Sequence, residues 1–255
     1  MSLETFSKFY YGFEFDEDTQ YIDFSEGGPQ LTAEVTLGAY SPQQMAVEIT
    51  TALNAVGALV YSCSFDNSDR TFTITGSSTF SLLVTSGTSG AKAFSAFGFS
   101  GADKTSASTY TGNAAGSVFE PQFILQDHIS TDNYQRLVMP SVNKAADGTV
   151  EVIRFGTEKF LQSNIKFITN KLSDGKVIKY NPTGVEDAQD FLQWLTLKKP
   201  VNYIEDILYP ATYQTMILDS TPDNKDGTGY KLKELYDKNL PGFFETGILV
   251  FRLIE

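Results

Sequence analysis

The sequence predicts a β-rich α+β fold. An N-terminal helix-plus-β-hairpin module spans 1–115. A β-sandwich-like domain follows over 116–255, with a helix near 184–197 packed on its sheet. Three observations carry this. Runs of alternating apolar and polar residues recur along the chain, separated by Gly, Asn and Asp turns. Two stretches instead repeat their apolar residues at helical spacing. Phe and Tyr, 20 and 13 in number, far outweigh His, Cys and Trp in a Gly-, Ser- and Thr-rich chain, a composition that favours sheets.

Tyr11, Phe13 and Phe15 alternate with smaller or polar neighbours, and Tyr21–Phe24 resumes after the polar Asp16–Thr19. The two runs read as a hairpin, broken by Gly27-Gly28-Pro29. Leu31, Ala33, Val35 and Leu37 make another strand of period two. Ser41-Pro42-Gln43-Gln44 supplies a cap, a proline at the first helical position and a Gln three after the cap. Met45, Ile49, Ala52, Leu53 and Val56 form the apolar face of that helix, and Gly57 stops it. Leu59, Tyr61, Cys63 and Phe65 alternate, Asp66–Asp69 turns the chain, and Phe72 and Ile74 return it. Phe80–Val84 reads as a further short strand. Phe94, Phe97 and Phe99 anchor a small-residue stretch, and Thr105–Gly116 is polar apart from Tyr110. The domain boundary falls near 113–118.

In the second half, Phe119–Leu125 reads as extended and Gln135–Met139 as a strand ahead of Pro140. Asp147-Gly148 and Asp174-Gly175 are turn signals between strand-like runs. Ile165–Thr169 is a strand. Thr183 and Glu186 have capping-box spacing, and Ala188, Phe191, Leu192 and Leu195 form a helical stripe beside Trp194, ended by Pro200. Tyr203–Ile207, Tyr213–Leu218 and Gly247–Leu253 read as strands, and Leu232, Leu235 and Tyr236 as a short helix.

The formal charge is −12, which disfavours a nucleic-acid partner. No apolar run reaches the roughly 20 residues of a membrane span. The segment Met1–Glu4 has neither the basic nor the apolar part of a secretion signal. One cysteine, Cys63, leaves no disulfide framework within the chain, which fits a reducing cytosol.

Candidate chemistry is sparse. His128 is the single histidine, in a segment that reads as surface or loop. Gly98–Ala102 approaches a nucleophile elbow, with its second Gly displaced. Glu14, Asp16, Glu17, Asp18, Asp23 and Glu26 gather acids at spacings that match no calcium loop. Asp223–Gly227 sets Lys225 where a calcium loop needs an oxygen ligand. Trp194 could stack on a sugar, but its helical spacing points to the core. Cys63 reads as a small buried hydrophobe. Lys198-Lys199 suit either a helix C-terminus or a neighbouring subunit's carboxylates. The expectation is no catalytic, cofactor-binding or metal-binding residue, no cofactor, and no enzyme.

Two blocks resemble known virion proteins. Tyr40-Ser41-Pro42, Ile49, Ala52-Leu53-Asn54, Gly57, Tyr61, Ser64–Asp66, Arg70, Phe72, Ile74, Phe80–Leu83 and Gly98-Phe99 resemble a helix-plus-hairpin module of tailed-bacteriophage virions. Phe191–Trp194, Pro200, Tyr203, Asp206, Pro210, Tyr213, Leu218–Ser220 and Pro241–Arg252 are similar to distal-tail and tail-tip proteins of long-tailed phages. The resemblance implies a virion protein, assembled in the bacterial host cytoplasm. It would form a ring of its own copies, commonly a hexamer, between the tail tube and the tip, hub or baseplate. One departure is that the helix-plus-hairpin module comes first, which leaves a head-to-tail connector or tail-completion role open. A receptor- or carbohydrate-binding module and a cell-wall hydrolase are the readings from other classes. The first predicts an exposed aromatic cluster, the second a cleft with two carboxylates.

Overall fold

Alternating runs became strands almost throughout, and both helical stripes became helices. The computed structural model describes residues 7–120, 133–144, 150–165, 168, 172–173, 176–177, 185–205, 208–219, 232–234 and 242–254. In chain order its strands begin with β1 (Lys8–Tyr11), β2 (Glu14–Phe15), β3 (Tyr21–Ser25), β4 (Leu31–Glu34) and β5 (Gly38–Ala39). Helix α1 (Pro42–Val56) leads to β6 (Tyr61–Asp66), β7 (Thr71–Leu82), β8 (Lys104–Thr111) and β9 (Ser117–Phe119). Then come β10 (Asn133–Lys144), β11 (Val150–Asn164), β12 (Leu172–Ser173) and β13 (Lys176–Val177). Helix α2 (Val185–Thr196) precedes β14 (Val201–Ile204), β15 (Tyr213–Leu218), β16 (Lys233–Glu234), β17 (Phe244–Glu245) and β18 (Ile248–Leu253). The chain is a β-rich α+β fold built on antiparallel sheets. It divides into two units, one of Lys8–Val118 with Pro200–Tyr213, the other of Met1–Ser7, Phe119–Lys199 and Gln214–Glu255.

In the first unit β7 is the spine. It pairs with β6 along Thr71–Gly76, with β3 at Ser81 and Leu82, and with β8 on its other border. Helix α1 starts as its sequence dictates. The Ser41 side chain accepts from the N–H of Gln44, Gln44 Oε1 accepts from the N–H of Ser41, and Pro42 is the first helical residue. Met45, Ile49, Ala52 and Leu53 are buried, whereas Val56 is 42% exposed, because the last turn rotates it away from the core. The core is aromatic. Phe13, Phe15, Phe24, Phe72, Phe80, Phe94, Phe97 and Phe99 lie at or below 2% exposure. Burying each such side chain stabilises by about 1.5–3 kcal/mol. Edge-on pairs such as Tyr61–Phe80 at 5.1 Å and Phe80–Tyr110 at 4.9 Å suit the ring quadrupoles. Strands β1 and β14 also pair in this unit, with Phe9 opposite Tyr203 in the register.

Several expectations need correction here. Phe13–Phe15 and Tyr21–Phe24 do not form a hairpin. Gly12, at φ +82°, separates β1 from β2, and β2 pairs with β5 while β3 pairs with β4. Asp16–Thr19 closes on itself instead, with Thr19 N–H on the Asp16 carbonyl at 3.0 Å. Gly27-Gly28-Pro29 therefore lies in the β3–β4 connection. Phe80–Val84 is not a separate strand, since β7 runs unbroken from Thr71 to Leu82. The polar stretch after Lys104 is strand β8, whose threonines match β7 threonines across the ladder.

In the second unit the sheet order is β10-β11-β18-β15. Leu161, Met216, Leu218, Leu249 and Phe251 are its buried apolar residues. Strand β10 runs through Pro140 and does not end there. It is the outer strand, and its register shifts between Val138 and Pro140, so the missing proline N–H falls at a bulge. Helix α2 buries Ala188, Phe191, Leu192 and Leu195, with Phe191 stacked on Phe119 at 4.5 Å. The helix ends at Thr196, ahead of Pro200, and Lys198 in the turn that follows is left-handed at φ +56°. Lys233 and Glu234 form a strand with β17, not a helix. Ile168 makes an isolated bridge to Phe244. Asp147-Gly148, Asp174-Gly175, the Thr183 cap, 121–125, Ile207, Leu235 and Tyr236 lie outside the described residues.

Replacing Ser41 with Ala removes the hydroxyl that accepts from the Gln44 N–H and keeps the bond from the residue-41 N–H to the Gln44 side chain. It is expected to lower the stability of the N-terminal unit by about 1 kcal/mol, within roughly 0.5–2, as read from urea unfolding followed by circular dichroism.

Candidate functional site

Three of the acidic residues near the N-terminus, Asp16, Asp23 and Glu26, accept hydrogen bonds from main-chain N–H groups. Asp16 Oδ1 accepts from the Asp18 N–H and the Thr19 hydroxyl at 3.0 and 2.7 Å, a self-contained turn. Asp23, fully buried, accepts from the hydroxyls of Thr32 and Ser89 and from the Ser89 N–H at 2.6–2.9 Å. Gly87 must lack a side chain because a Cβ there would collide with the Asp23 carboxylate. Glu26 accepts from the N–H groups of Ala58 and Leu59 and from the Tyr61 hydroxyl at 2.9–3.1 Å. Partial burial works against its charged form, but these three hydrogen bonds outweigh it and hold the Glu26 carboxyl below its ordinary value. The Tyr61 hydroxyl is pushed upward, first by burial and then by its hydrogen bond to Glu26 and the Glu26 charge. Glu17 and Asp18 are exposed. Among the described residues, no group of three or more His, Cys, Asp and Glu side chains could hold a metal ion.

Gly98 is a helix terminator and not part of an elbow. At φ +84° it ends the short 3-10 helix Ala93–Phe97, and a Cβ there would strike the Asn113 carbonyl. Phe99 is buried beside it, while Ser100 is exposed and accepts a bond from Asn113 Nδ2 at 3.2 Å. Cys63 is half-buried, and withdrawal from water pushes its thiol up to about 12, which makes it a poor nucleophile. Trp194 is buried at 9% exposure, with the Lys199 ammonium 4.7 Å from its ring centre. Lys198 Nζ donates to the Leu218 carbonyl at 2.8 Å, so it ties the end of α2 to β15. His128 and Asp223–Gly227 lie outside the described residues.

The feature that motif reading missed is a cleft of about 340 Å³ in the first unit. Lys8 and Tyr10 come from β1, Asn67 and Ser68 from the β6–β7 turn, and Ile204, Leu208 and Pro210 from β14 and the chain after it. The Tyr10 hydroxyl donates to the Asn67 carbonyl at 2.9 Å. Asn202 Nδ2 donates to Gln43 Oε1 at 2.6 Å, and Gln43 Nε2 donates to Asn67 Oδ1 at 3.4 Å. These bonds brace the turn against β1 and α1. The lining offers an ammonium, a hydroxyl and an amide against an apolar wall, and among the described residues it includes no carboxylate, imidazole or thiol. Such a set can hold a side chain or small group and has no acid–base pair. Its residues lie far apart in sequence and share no motif.

Because the folded-state value of Glu26 is depressed, its stabilisation is present above the ordinary value near 4.5 and is lost as pH falls below it. Glu26→Gln should therefore show a smaller loss of stability than the parent chain between about pH 6 and about pH 3 in chemical unfolding. Equal losses in both chains would mean that Glu26 does not hold the α1–β6 junction.

No helix among the described residues is long and apolar enough to cross a membrane. No protein-family model and no curated protein matches the chain.

Proposed function

We propose that this chain is a structural component of a tailed-bacteriophage virion, a distal-tail or baseplate ring protein that joins the tail tube to the tip. The observation that carries the reading is the way the resembling residues work together in the first unit. Ser41 and Pro42 start α1, Ile49, Ala52 and Leu53 are its buried face, and Tyr61, Phe72, Ile74 and Phe80 enter the same core from the β6–β7 hairpin. Residues of the second block support it as well. Phe191 and Leu192 are buried on α2, and the closing strand β18 buries Phe251 while Arg252 pairs with Asp219 at 3.0 Å.

The mechanism is assembly without chemistry. Each copy presents the same surface patches, and closed cyclic symmetry lets modest contacts act together. The partners are other copies of the chain, commonly six in a ring, together with tube and tip or hub proteins. The site of action is the virion, after assembly in the host cytoplasm. A net charge of −12 also suits a ring through which DNA passes without being held.

Native mass spectrometry of the purified full chain tests this. The expected result is a closed ring, with the hexamer as the main species. A protein that stays monomeric from about 1 to about 100 µM, a range in which specific interfaces of standard size associate, overturns the ring role.

A further inference from the structure

The border of the first unit's sheet formed by β8 is open. Among the described residues, strand β8 has β7 as its one neighbouring strand, in the register Thr73↔Thr111, Ile74↔Tyr110, Thr75↔Thr109. Gly112 continues that register by donating its N–H to the Phe72 carbonyl at 2.9 Å. Hydrogen-bonded and non-bonded pairs alternate along an antiparallel ladder. Ile74↔Tyr110 is therefore a bonded pair, and the two threonine pairs are non-bonded. The hydroxyl contacts Thr73–Thr111 at 2.9 Å and Thr75–Thr109 at 3.3 Å agree, because side chains approach most closely across non-bonded pairs. The N–H and carbonyl groups of Thr109 and Thr111 consequently point out of the sheet. Both residues are exposed, and among the described residues no hydrogen bond reaches these main-chain groups.

We propose that a second copy of this chain adds its own Thr109-Tyr110-Thr111 to this border, antiparallel and with Tyr110 on the two-fold axis. The segment is palindromic, so Thr109 then faces Thr111 of the partner subunit and Thr111 faces Thr109 of the partner subunit. Every outward N–H meets a carbonyl, and threonine lies across from threonine as it already does between β7 and β8. Charge favours the same occupant. Two chains of net charge −12 repel each other, yet residues 104–119 contain no acidic residue. Threonine is also a strong strand former, and the edge over Thr109–Thr111, uncharged and in continuous register with β7, is a template for strand addition. The contact is isologous and yields pairs. It does not rest on the ring reading, because a ring needs a head-to-tail contact elsewhere on the surface.

The test uses the full chain in sedimentation equilibrium and in amide hydrogen exchange at low and high protein concentration. The expected result is a concentration-dependent dimer. Exchange at Thr109 and Thr111 should slow by about tenfold or more on dimerisation, while Tyr110, already bonded within the sheet, stays unchanged. Thr109→Lys with Thr111→Lys sets lysines against each other across the two-fold and should abolish the dimer, with circular dichroism unaltered. Exchange at both threonines that does not depend on concentration overturns the proposal, and so does a dimer that survives the double substitution. If the double variant fails to fold, exchange in the parent chain decides. A ring mass that persists while this dimer is lost leaves the ring reading standing.

Discussion

The first unit depends on Asn54 standing in for a strand. Its side-chain amide donates to the Tyr61 carbonyl and accepts from the Tyr61 N–H, both at 2.9 Å, as a peptide group of a neighbouring strand would. One turn earlier, Thr50 Oγ1 accepts from the Cys63 N–H at 2.8 Å. Two side chains of α1 thus satisfy outward groups of β6, which would cost about 1–3 kcal/mol each if buried unpaired. With the helix locked to that border, Met45, Ile49 and Leu53 face the core. Glu26 grips the same junction from the β3–β4 connection, through Ala58, Leu59 and Tyr61. Helix, hairpin and first sheet strands meet at one place, and the aromatic core closes around it.

A second set of carboxylates orders the long connection between β7 and β8. That stretch is poor in large residues, so backbone entropy of about 1–2 kcal/mol per residue opposes its ordering. Asp23 holds Ser89, Asp103 holds the N–H groups of Thr85 and Ser86 at 2.7 and 3.1 Å, and Gln30 holds Thr88. Hydrogen bonds from Ser86 and Thr85 keep Asp103 below its ordinary value. Phe94, Phe97 and Phe99 then drop into the core. Asp16, Asp23 and Glu26, which look in the sequence like part of a catalytic or calcium-binding cluster, act as ties for main chain outside the sheets.

Local chemistry was readable in the sequence wherever it is self-contained. The Ser41 capping box, the Asp66 turn, the α2 stripe and the burial of Trp194 follow from spacings of a few residues. Pairing was not readable, because β2 finds β5 and β3 finds both β4 and β7 through contacts whose energy lies across the sheet. A polar strand such as β8 carries almost no apolar alternation, so its threonine ladder is invisible until β7 lies beside it. Pro140 was misread for a related reason, since proline ends a central strand but is tolerated at a bulge in an outer one. The cleft joins residues from 8 to 210, and no motif of that reach can be read from one chain.

The borders of the sheets show how an acidic β-rich chain controls association. Outer strand β10 shifts its register at Pro140, β4 carries the charged Glu34, and β6 is covered by α1. Each device removes main-chain groups from reach or sets a charge beside them. Net repulsion between copies acts over a Debye length of about 10 Å at 0.1 M salt, whereas strand pairing is decided at hydrogen-bond distance. What matters at contact is therefore the local sequence, and at Ser108–Thr111 of β8 that sequence is serine, threonine and tyrosine without a charge. Long-range charge keeps copies apart in general, and the uncharged Ser108–Thr111 border of β8 offers one orientation in which two of them can pair.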